Sequence, residues 1–562
     1  MSIDWGGMSV LSNRYTFYPL GASHMGFIRS ACAVVATLVL FACPAEMGTD
    51  GGTTSDGGKF DFKFKDQSFS FENYTNTVDG APVTNLTPAE IARLFGDGVC
   101  TEGPDAGACT LTPSARNFME STNGAMKGGH CEGMAVLSLL FATGQARPSD
   151  FGAPTAFALT LPNNVPLQRE IAYWWATQST QPTQTADTRG KATPNEVLAL
   201  LEAWFAGGTE SYSFGLYKRD GTGGHANTPY AIRTVDAGIK QVVLYENNFP
   251  NAEMAVTIDT NANSWTYTAT VNPTSPSEVY DGDAMTKSLT LTSTSARTQR
   301  QTCPTCGTVN ANGRGVKGNA VSYRELGIEG DARVVVADGL GNSISLDGGA
   351  YVSTIPGAEV AGGRSAPTTW TEVEQPRFRV PLTTPLTVTL DGTGLGGASA
   401  SAVRLTAPGY TFAVQDVSLD PGQVDTIVFA GDSDHVAYTT TGAETPVVEL
   451  GLTLDGTDYL FEVTGAAEAT GVTIDLKVDV PNQKLAVKIS SADGSAGYGL
   501  KVHALSAGDV VFAHMGNTVT STATVFLNYG TWAGQGTPMT FEIDDDSNGT
   551  IEQTLLVSDD GD

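Results

Sequence analysis

The sequence predicts an α+β protein in which a mixed N-terminal part is followed by an all-β C-terminal region. Helical patterns with start and stop signals lie before residue 207, and strand patterns follow from residue 225. After about residue 310, helical periodicity disappears and short alternating strands separated by Gly, Asp and Asn turns take over. Helices and strands are therefore segregated, which indicates α+β architecture rather than repeated βαβ units.

Two predicted helices carry the same start signal. The segments Thr87–Glu90 and Thr193–Glu196 each place a capping hydroxyl, a proline at the first helical position and a glutamate three residues after the cap. Gly96 and Gly207 end these helices. Residues 167–178, rich in aromatic side chains, predict another helix whose aromatic stripe belongs to the core.

A further apolar helix opens on a cysteine within the segment Gly128–Ala135. Cys131 begins an apolar run that Gly144 ends, so the thiol lies in the first helical turn. Unpaired N–H groups and the positive end of the helix dipole stabilise a thiolate there. The glycines before Cys131 also let the backbone approach a substrate closely. The position therefore predicts a nucleophilic cysteine.

A predicted β-hairpin supplies a histidine on one strand and polar side chains after the other. Its strands cover residues 225–235 and 239–245, joined by the turn Asp236–Gly238. The polar residues that follow the second strand are candidates for orienting the histidine.

The register of this hairpin decides which side chain shares a face with His225. A two-residue loop puts Glu246 and Asn248 on that face, whereas a three-residue loop puts Asn247 there. In either register an acid or amide can hold the imidazole tautomer. The alternative is an ordinary loop histidine beside the polar end of a strand.

The cysteine helix, the Gly-His strand and the following Val-Leu-Tyr-Glu-x-Asn strand resemble the papain-like cysteine peptidase superfamily, in particular its bacterial peptidase C39-like and transglutaminase-like branches. The resemblance covers roughly residues 80 to 270. It implies a papain-like catalytic domain with Cys131 as nucleophile, His225 as base and Glu246 or Asn248 as the orienting residue. These families usually have Asp where Glu246 stands, so a longer side chain must be accommodated. They also place a polar side chain shortly before the cysteine to help form an oxyanion hole, and the nearest amide here is Asn123, eight residues upstream rather than the usual six.

Residues 1–43 are predicted to be an N-terminal extension and a bacterial lipoprotein signal. Met25 is taken as the true start, Arg29 supplies the positive region, and residues 31–41 form an apolar run that is too short for a membrane span. Cys43 would then be the lipidated first residue of the mature protein. An uncleaved anchor or a spurious apolar run is the alternative. Residues 44–60 are predicted to be a flexible linker.

The cysteines agree with export. Cys100 and Cys109 flank a turn-rich loop and are predicted to form a disulfide, as are Cys303 and Cys306. These pairs leave Cys131 unpaired. A zinc site at Cys303 and Cys306 would need a second ligand pair at suitable spacing, and the sequence shows none, so no metal is predicted.

The charge of the chain limits its partners. It has 31 Lys and Arg against 60 Asp and Glu, a formal charge of −29, which repels nucleic acid and anionic membranes. Membrane association is expected only through the N-terminal lipid. No cofactor is predicted, and the expected partners are a protein or peptide substrate or a cell-surface partner.

The sequence divides the remainder of the chain into four predicted regions. Residues 61–305 form the papain-like domain, and residues 306–375 form a bridging segment built on a β-hairpin. Two β-sandwich-like modules follow, 376–465 and 466–562, although one large sandwich is the alternative.

The C-terminal region carries no predicted catalytic cluster. His435, His503 and His514 are scattered along it without cysteine or carboxylate partners at ligand spacing. The loop Asp544–Thr550 matches the first half of a calcium loop, but position 12 is Leu555 where a bidentate glutamate is required. The loop is therefore interpreted as a turn between two strands.

Two functions follow from these patterns. The first is a surface-anchored, extracytoplasmic cysteine hydrolase or acyltransferase acting on peptide or amide bonds through a Cys-His-Glu or Cys-His-Asn triad. The alternative is a non-catalytic surface lipoprotein, an adhesin or structural binding module, with a degenerate papain-like domain. The sequence does not choose between hydrolysis and acyl transfer.

Overall fold

The computed structural model describes most of the chain after residue 57. The predicted signal, Cys43 and most of the predicted linker lie outside the described residues. The described ranges are 58–101, 109–219, 223–269, 278–318, 321–347, 350–361, 363–364, 377–465, 471–506 and 508–561.

Helices are concentrated in the first half of the described chain, and the C-terminal region is rich in strands, as predicted. Two short strands, β1 (Thr77–Val78) and β2 (Ala81–Pro82), pair with each other in the N-terminal half. The α-helices of the described residues are α1 (Phe64–Gln67), α2 (Pro88–Phe95), α3 (Pro113–Ala125), α4 (Cys131–Ala142), α5 (Val165–Ala176), α6 (Thr183–Ala186), α7 (Pro194–Phe205) and α8 (Thr294–Arg297).

The predicted capping signals start α2 and α7. The N–H of Thr87 donates to Glu90 at 3.0 Å, and the N–H of Thr193 donates to Glu196 at 2.7 Å. Each glutamate thus satisfies a backbone donor that no helical carbonyl reaches. The predicted aromatic helix is α5, and Trp175 is buried in its packing, so the aromatic stripe belongs to the core.

A seven-stranded antiparallel sheet packs against these helices. Its spatial order is β8-β7-β6-β5-β4-β3-β9. The strands are β3 (Tyr212–Tyr217), β4 (Gly224–Asp236), β5 (Ile239–Tyr245), β6 (Glu253–Asp259), β7 (Ser264–Ala269), β8 (Glu278–Asp283) and β9 (Leu289–Ser293).

The β4–β5 hairpin has the two-residue loop, with Asp236 paired to Ile239 and Gly238 at φ 82°. Two irregularities then shift the ladder, which the sequence did not predict. Each shift moves the register by one residue, so two shifts together restore the original face. Glu246 therefore lies on the face of His225, as the two-residue loop requires. The shifts fall between Pro229 and Ala231 and between Thr234 and Asp236.

The C-terminal region is a β-sandwich of two large sheets. Its strands, with the small pair β10 and β11 that precedes them, are β10 (Thr308–Val309), β11 (Val316–Lys317), β12 (Tyr323–Glu329), β13 (Arg333–Asp338), β14 (Ser343–Asp347), β15 (Ala350–Ser353), β16 (Glu359–Ala361), β17 (Arg377–Pro381), β18 (Leu386–Asp391), β19 (Ser399–Ala407), β20 (Tyr410–Leu419), β21 (Val424–Phe429), β22 (His435–Thr439), β23 (Val447–Leu452), β24 (Asp458–Thr464), β25 (Thr473–Asp479), β26 (Lys484–Ser490), β27 (Ser495–Leu505), β28 (Asp509–Thr520), β29 (Thr524–Asn528), β30 (Met539–Asp544) and β31 (Gln553–Val557).

These strands form one sandwich rather than a hairpin bridge and two modules. The nine-stranded sheet has the order β16-β17-β12-β19-β20-β23-β24-β27-β28, and the eleven-stranded sheet has the order β15-β14-β13-β18-β21-β22-β25-β26-β29-β30-β31. Both sheets pair strands across the predicted boundary at residue 465, and strands from the predicted bridging segment belong to both. Alternating inward side chains from the whole region, from Leu326 to Phe541, share one hydrophobic core. Pairing and burial across residue 465 thus favour the single-sandwich alternative.

Helix α3 joins the N-terminal half to the nine-stranded sheet. Asn117 donates to the Thr406 hydroxyl at 2.9 Å, and Arg404 pairs with Glu120 at 2.8 Å. A β-carbon at Gly451 would lie 2.5 Å from Pro113, so the bare backbone of β23 lets the start of α3 approach. The two halves of the described chain belong to one compact unit.

No helix among the described residues is both long and apolar enough to cross a membrane.

The contact of α3 with the sandwich also makes stability depend on pH. Glu449 on β23 lies directly opposite Glu462 on β24, and Glu120 of α3 is nearby. Burial and the two neighbouring carboxylates raise the pKa of Glu449 to about 7, against the pull of Arg404.

We predict that Glu449→Gln stabilises the protein at pH 8 and changes it little at pH 4. A raised carboxyl pKa means that the protonated group favours the fold below its ordinary pKa near 4.3, and that this contribution is lost as the pH rises through about 7. The glutamine does not ionise, so the free energy of unfolding at pH 8 should exceed that of the wild type by up to about 3 kcal/mol. Denaturant unfolding at both pH values measures this difference.

The matched control is Glu359→Gln, which removes an exposed carboxylate on β16. Its stability should follow the wild type at both pH values. Equal unfolding free energies for Glu449→Gln and wild type at pH 8 would contradict the prediction.

Candidate active site

Cys131 is the free cysteine among the described residues, and it begins helix α4. Cys100 and Cys109 are bonded with an S–S distance of 2.00 Å, and Cys303 and Cys306 with one of 2.14 Å. Cys131 is fully buried and carries a thiol. The predicted positions of the bonded and free cysteines therefore agree with the structure.

The helix start meets β4 where that strand extends beyond its partner. The last β4–β5 pair is Thr228 with Tyr245, so the residues of β4 before Thr228 extend beyond β5. The N–H of Ala226 in this extension hydrogen-bonds the Cys131 sulfur. Asn247 donates its side-chain amide to the carbonyl of Cys131 at 3.2 Å and to that of Ala226 at 2.8 Å. The amide of Asn247 thereby ties the cysteine to the strand that carries the histidine.

His225 is held by Glu246 inside the protein. His225 Nε2 hydrogen-bonds Glu246 Oε1, and both side chains are buried. The backbone N–H of Asn248 donates to the same carboxylate oxygen at 3.0 Å, and the Tyr267 hydroxyl donates to Glu246 Oε2 at 2.7 Å. Glu246 is therefore the orienting residue of the three candidates, and Asn248 contributes a backbone donor to it.

The carboxylate decides which nitrogen of His225 can act as a base. An ionised carboxylate only accepts, so the neutral imidazole has its proton on Nε2 and a lone pair on Nδ1. His225 Nδ1 is buried and has no hydrogen-bond partner among the described residues. It is the nitrogen left to receive a proton.

The environment of the site favours a charged Glu246 and a neutral Cys131. Burial opposes ionisation of Glu246, but His225 and the donors from Asn248 and Tyr267 hold the pKa of that carboxyl below its usual range. Burial raises the pKa of the Cys131 thiol well above its usual range, and the Glu132 carboxylate adds to the effect. The enclosed site therefore holds a neutral thiol, which corrects the prediction that the helix start stabilises a thiolate.

A second histidine lies next to Cys131 but is already engaged. The ring of His130 stacks on Tyr74 with 4.1 Å between centroids, and its nitrogens lie 2.8 Å from the Tyr74 carbonyl and 2.9 Å from Asn85 Oδ1. Burial lowers the pKa of His130 to about 4. Both nitrogens of His130 are therefore occupied, and its ring holds the helix start against Tyr74 and Asn85.

Behind the thiol, Glu132 is ionised inside the core. Burial opposes its charge, but Arg297 and Arg364 lower its pKa below the usual range. Ser213 also donates to Glu132 Oε1 at 3.2 Å. The acid in the first turn of α4 thus anchors the helix start to two buried guanidinium groups.

Asn123 does not take the predicted oxyanion position. Its Oδ1 accepts from the N–H of Leu86 at 3.0 Å, and its Nδ2 donates to the carbonyl of Leu86 at 3.0 Å. Both ends of the amide are therefore used to hold Leu86 ahead of α2. The spacing from Cys131 gave no information about this long-range partner.

Other residues of the site were missed by the sequence analysis. Tyr267 reaches Glu246 from β7, and Asn227 shares the face of His225 two residues along β4. Asn227 is buried, and neither polar atom of its side chain has a partner among the described residues. Strand alternation placed Asn227 on that face, but no sequence signal linked Tyr267 to Glu246.

The histidines of the sandwich have carboxylate partners, which corrects the prediction of isolated residues. The pairs join strands or chain ends that are distant in sequence or lie across a turn, so ligand spacing could not reveal them. They are His435 with Asp475 at 3.1 Å, His503 with Asp509 at 2.9 Å and His514 with Asp560 at 3.0 Å.

The segment after β30 is a turn between two paired strands, as predicted. Phe541 pairs with Leu555 across it. The carboxylates of Asp544, Asp546 and Glu552 come within 4.8 Å of one another. Asp544, the buried member, already accepts backbone N–H bonds at 3.0 and 2.7 Å within the turn. These bonds give the acidic cluster a structural role in closing the turn.

No protein-family model, curated protein or solved structure matches this chain. The fold and the geometry of the site are therefore the observations on which a function is argued.

We predict that Glu246→Gln destabilises the protein at neutral pH by about 2 kcal/mol, because it removes a charged partner from His225 and Tyr267. A lowered carboxyl pKa means that ionised Glu246 stabilises the fold above its ordinary pKa, and that this contribution is lost as the pH falls through the lower folded value. The difference between variant and wild type should therefore shrink below about pH 4. Urea unfolding between pH 3 and pH 7 measures it.

Tyr267→Phe is the matched control, since it removes one hydrogen bond and keeps the carboxylate. Its cost should be about 1 kcal/mol and should persist through most of the same pH range. A Glu246→Gln variant as stable as the wild type at pH 7 would be inconsistent with a stabilising carboxylate.

We also predict the number of titratable thiols. The chain from residue 44 contains five cysteines, and the structure bonds four of them. Ellman titration of that chain, unfolded without reductant, should give one thiol, and Cys131→Ser should give none. Three or five thiols in the unreduced wild-type chain would show that a disulfide is absent.

Proposed function

We propose that this protein is a papain-like cysteine hydrolase or acyltransferase that acts on peptide or amide bonds. The observation that carries the proposal is the buried His225–Glu246 pair, which leaves Nδ1 of the imidazole without a partner among the described residues, on the strand that Asn247 ties to the free cysteine at a helix start. A nucleophile, its base and the orienter of that base are the three parts that thiol catalysis requires.

In the proposed reaction, the Cys131 sulfur attacks the carbonyl carbon of the substrate and the thiol proton passes to His225 Nδ1. The imidazolium that forms is stabilised by the Glu246 carboxylate at Nε2. The carbonyl oxygen becomes an oxyanion, which the unpaired N–H groups in the first turn of α4 can receive. His225 then gives its proton to the leaving amine, and a thioester on Cys131 remains.

The thioester can be resolved in two ways. Water activated by His225 releases the acid and regenerates the thiol, which completes hydrolysis. An acceptor amine instead forms a new amide, which completes acyl transfer. The geometry of the triad serves both reactions, so the proposal covers the reaction class and leaves the acceptor open.

Access to the thiol is the condition that the proposed enzyme must meet. Asn73 lies across the helix start: its N–H donates to the Asn247 carbonyl at 2.9 Å, and its Oδ1 accepts from the N–H of His130 at 2.7 Å. Since Cys131 is fully buried, a substrate requires part of this region to move, and the segment around Asn73 is the one that we propose.

The burial of Cys131 also supports a second candidate function. A buried thiol with a raised pKa fits a degenerate papain-like domain in a surface lipoprotein, an adhesin or structural module. In that case Glu246, in the place where Asp is usual, serves only to satisfy His225. The buried His225–Glu246 pair and the free thiol at the start of α4 are the observations that support the enzyme over this alternative.

The location of either function rests on the sequence before residue 44. We propose that the mature protein is extracytoplasmic, held by a lipid on Cys43 to a bacterial membrane at the cell surface or in the periplasm, where its disulfides persist. A protein, peptide or cell-surface partner is the expected target.

Alkylation of Cys131 tests the enzyme proposal. Burial favours the neutral thiol at rest, so the proposed enzyme must react through proton transfer to His225. We predict that iodoacetamide modifies Cys131 of the chain from residue 44 at pH 6 at least about tenfold faster in the wild type than in His225→Ala. The variant is slower because it lacks the base that receives the proton. Mass spectrometry of the modified peptide over pH 4 to 9 gives the rates.

The outcome separates the two candidate functions. Cys131→Ser is the labelling control, and His435→Ala is the matched control for loss of an imidazole far from the site. A wild-type pH profile like that of an ordinary thiol, unchanged in His225→Ala, would favour the non-catalytic module.

A further inference from the structure

Arg364 enters the N-terminal half from the C-terminal region. It follows β16, which is the end strand of the nine-stranded sheet. Arg364 forms a single parallel β-bridge with Gly224, the residue before His225. A residue far along the chain thus lies directly beside the strand that carries the proposed base.

The guanidinium of Arg364 occupies a fully enclosed polar socket. Nη1 pairs with Glu132 Oε2 at 3.0 Å, and Nε donates to the Tyr217 hydroxyl at 3.0 Å. The side chain is 1% exposed, so these contacts are shielded from water. Its Nη2 donates to Asp187, Thr290 and Thr292. Such a saturated arrangement is what a buried arginine requires.

The backbone of Arg364 is clamped as well. Gln178 Oε1 accepts from the N–H of Arg364 at 2.7 Å, and Gln178 Nε2 donates to its carbonyl at 3.2 Å. The side chain of Gln178 therefore hydrogen-bonds both backbone polar groups of Arg364. These two hydrogen bonds hold the backbone of Arg364 independently of the contacts of its guanidinium group.

Two glycines shape the entrance to the socket. A β-carbon at Gly215 would lie 2.6 Å from Arg364 Nε, and one at Gly224 would lie 2.5 Å from the carbonyl oxygen of Gly363. These distances are shorter than nonbonded contacts allow. The bare backbones of β3 and β4 are thus required for Arg364 to approach.

The socket touches a neighbour of each reacting residue. Glu132 follows Cys131 in the first turn of α4, and Gly224 precedes His225 on β4. Arg364 contacts both of these neighbours, through its side chain and its backbone respectively. It therefore connects the helix that carries the thiol to the strand that carries the imidazole.

We propose that Arg364 is a positioning residue that holds Cys131 and His225 in register, so that the C-terminal region completes the catalytic site. This inference rests on the proposed function for its effect on reactivity. Its structural part, the attachment of the start of α4 to β4, is independent of catalysis. Arg297 also pairs with Glu132, but it comes from α8 of the N-terminal half and does not reach β4 at Gly224.

The test compares Arg364→Ala, Arg364→Lys and wild type in the chain from residue 44. Arg324→Ala is the matched control: Arg324 is also fully buried, and it donates to the carbonyl of Ala430 at 2.8 Å within the sandwich. The first readout is amide hydrogen exchange in peptides covering residues 131–135 and 224–228. The second is the pH profile of iodoacetamide modification of Cys131.

Arg364→Ala should raise hydrogen exchange at least about tenfold in both peptides, a change of about 1.4 kcal/mol in local opening. It should also remove the dependence of Cys131 modification on His225, so that the pH profile of the variant is that of an ordinary thiol with a pKa of about 8.5. Arg364→Lys, which keeps the charge but loses the planar fork, should lie between the two. Arg324→Ala should leave both local peptides and the modification rate unchanged.

The outcomes distinguish this inference from the function on which it rests. Unchanged exchange in both peptides of Arg364→Ala would overturn the positioning role, whatever the reactivity of Cys131. A pH profile of Cys131 modification that still depends on His225 in that variant would overturn it too, because the thiol and the imidazole would then be in register without Arg364. A third outcome is that hydrogen exchange increases in Arg364→Ala, while the reactivity of Cys131 in the wild type does not depend on His225. That result would support the attachment and refute the catalytic function. If Arg364→Ala does not fold, the exchange and pH profile of Arg364→Lys decide the same question.

Discussion

The buried contact between His225 and Glu246 is the constraint on which the N-terminal half depends. A carboxylate in a core is costly unless its oxygens are filled, and here His225, Asn248 and Tyr267 fill them. His225 lies on β4, Tyr267 on β7 and Asn248 in the turn after β5, so satisfying one charge links separate parts of the sheet. The same contact leaves one imidazole nitrogen without a hydrogen-bond partner among the described residues, and the proposed function rests on that nitrogen.

A second buried acid repeats this principle at the helix start. Glu132 is ionised in the core because Arg297 and Arg364 approach it. One guanidinium comes from the N-terminal half and the other from the C-terminal region. The burial of a single carboxylate therefore connects parts of the chain that hydrophobic patterning would treat as separate. Together with the docking of α3 on β19 and β23, it explains why both regions belong to one compact unit.

The C-terminal region, which contains the β-sandwich, contacts the neighbours of Cys131 and His225 through Arg364. Its two sheets share one core, so the strand next to Arg364 is tied to the whole C-terminal region. Displacement of that region would remove a cation from Glu132 and the β-bridge from Gly224. A site assembled from distant segments is sensitive to the integrity of the complete fold, and this sensitivity can be used to regulate it.

The sequence by itself determined the local features: the capped starts of α2 and α7, the helix that begins at Cys131, the hairpin turn at Asp236–Gly238 and the strand-rich C-terminal region. These depend on neighbouring residues, whose spacing is visible in the chain.

Only the tertiary structure decided that Glu246 rather than Asn247 meets His225, because the two register shifts together leave Glu246 on the same face of the sheet as His225. It also decided that Asn123 serves Leu86, that Tyr267 completes the carboxylate shell, and that one sandwich spans residue 465. Arg364 lies more than a hundred residues from Gly224 in sequence. Its role depends on long-range burial of charge, which leaves no periodic signal in a single sequence.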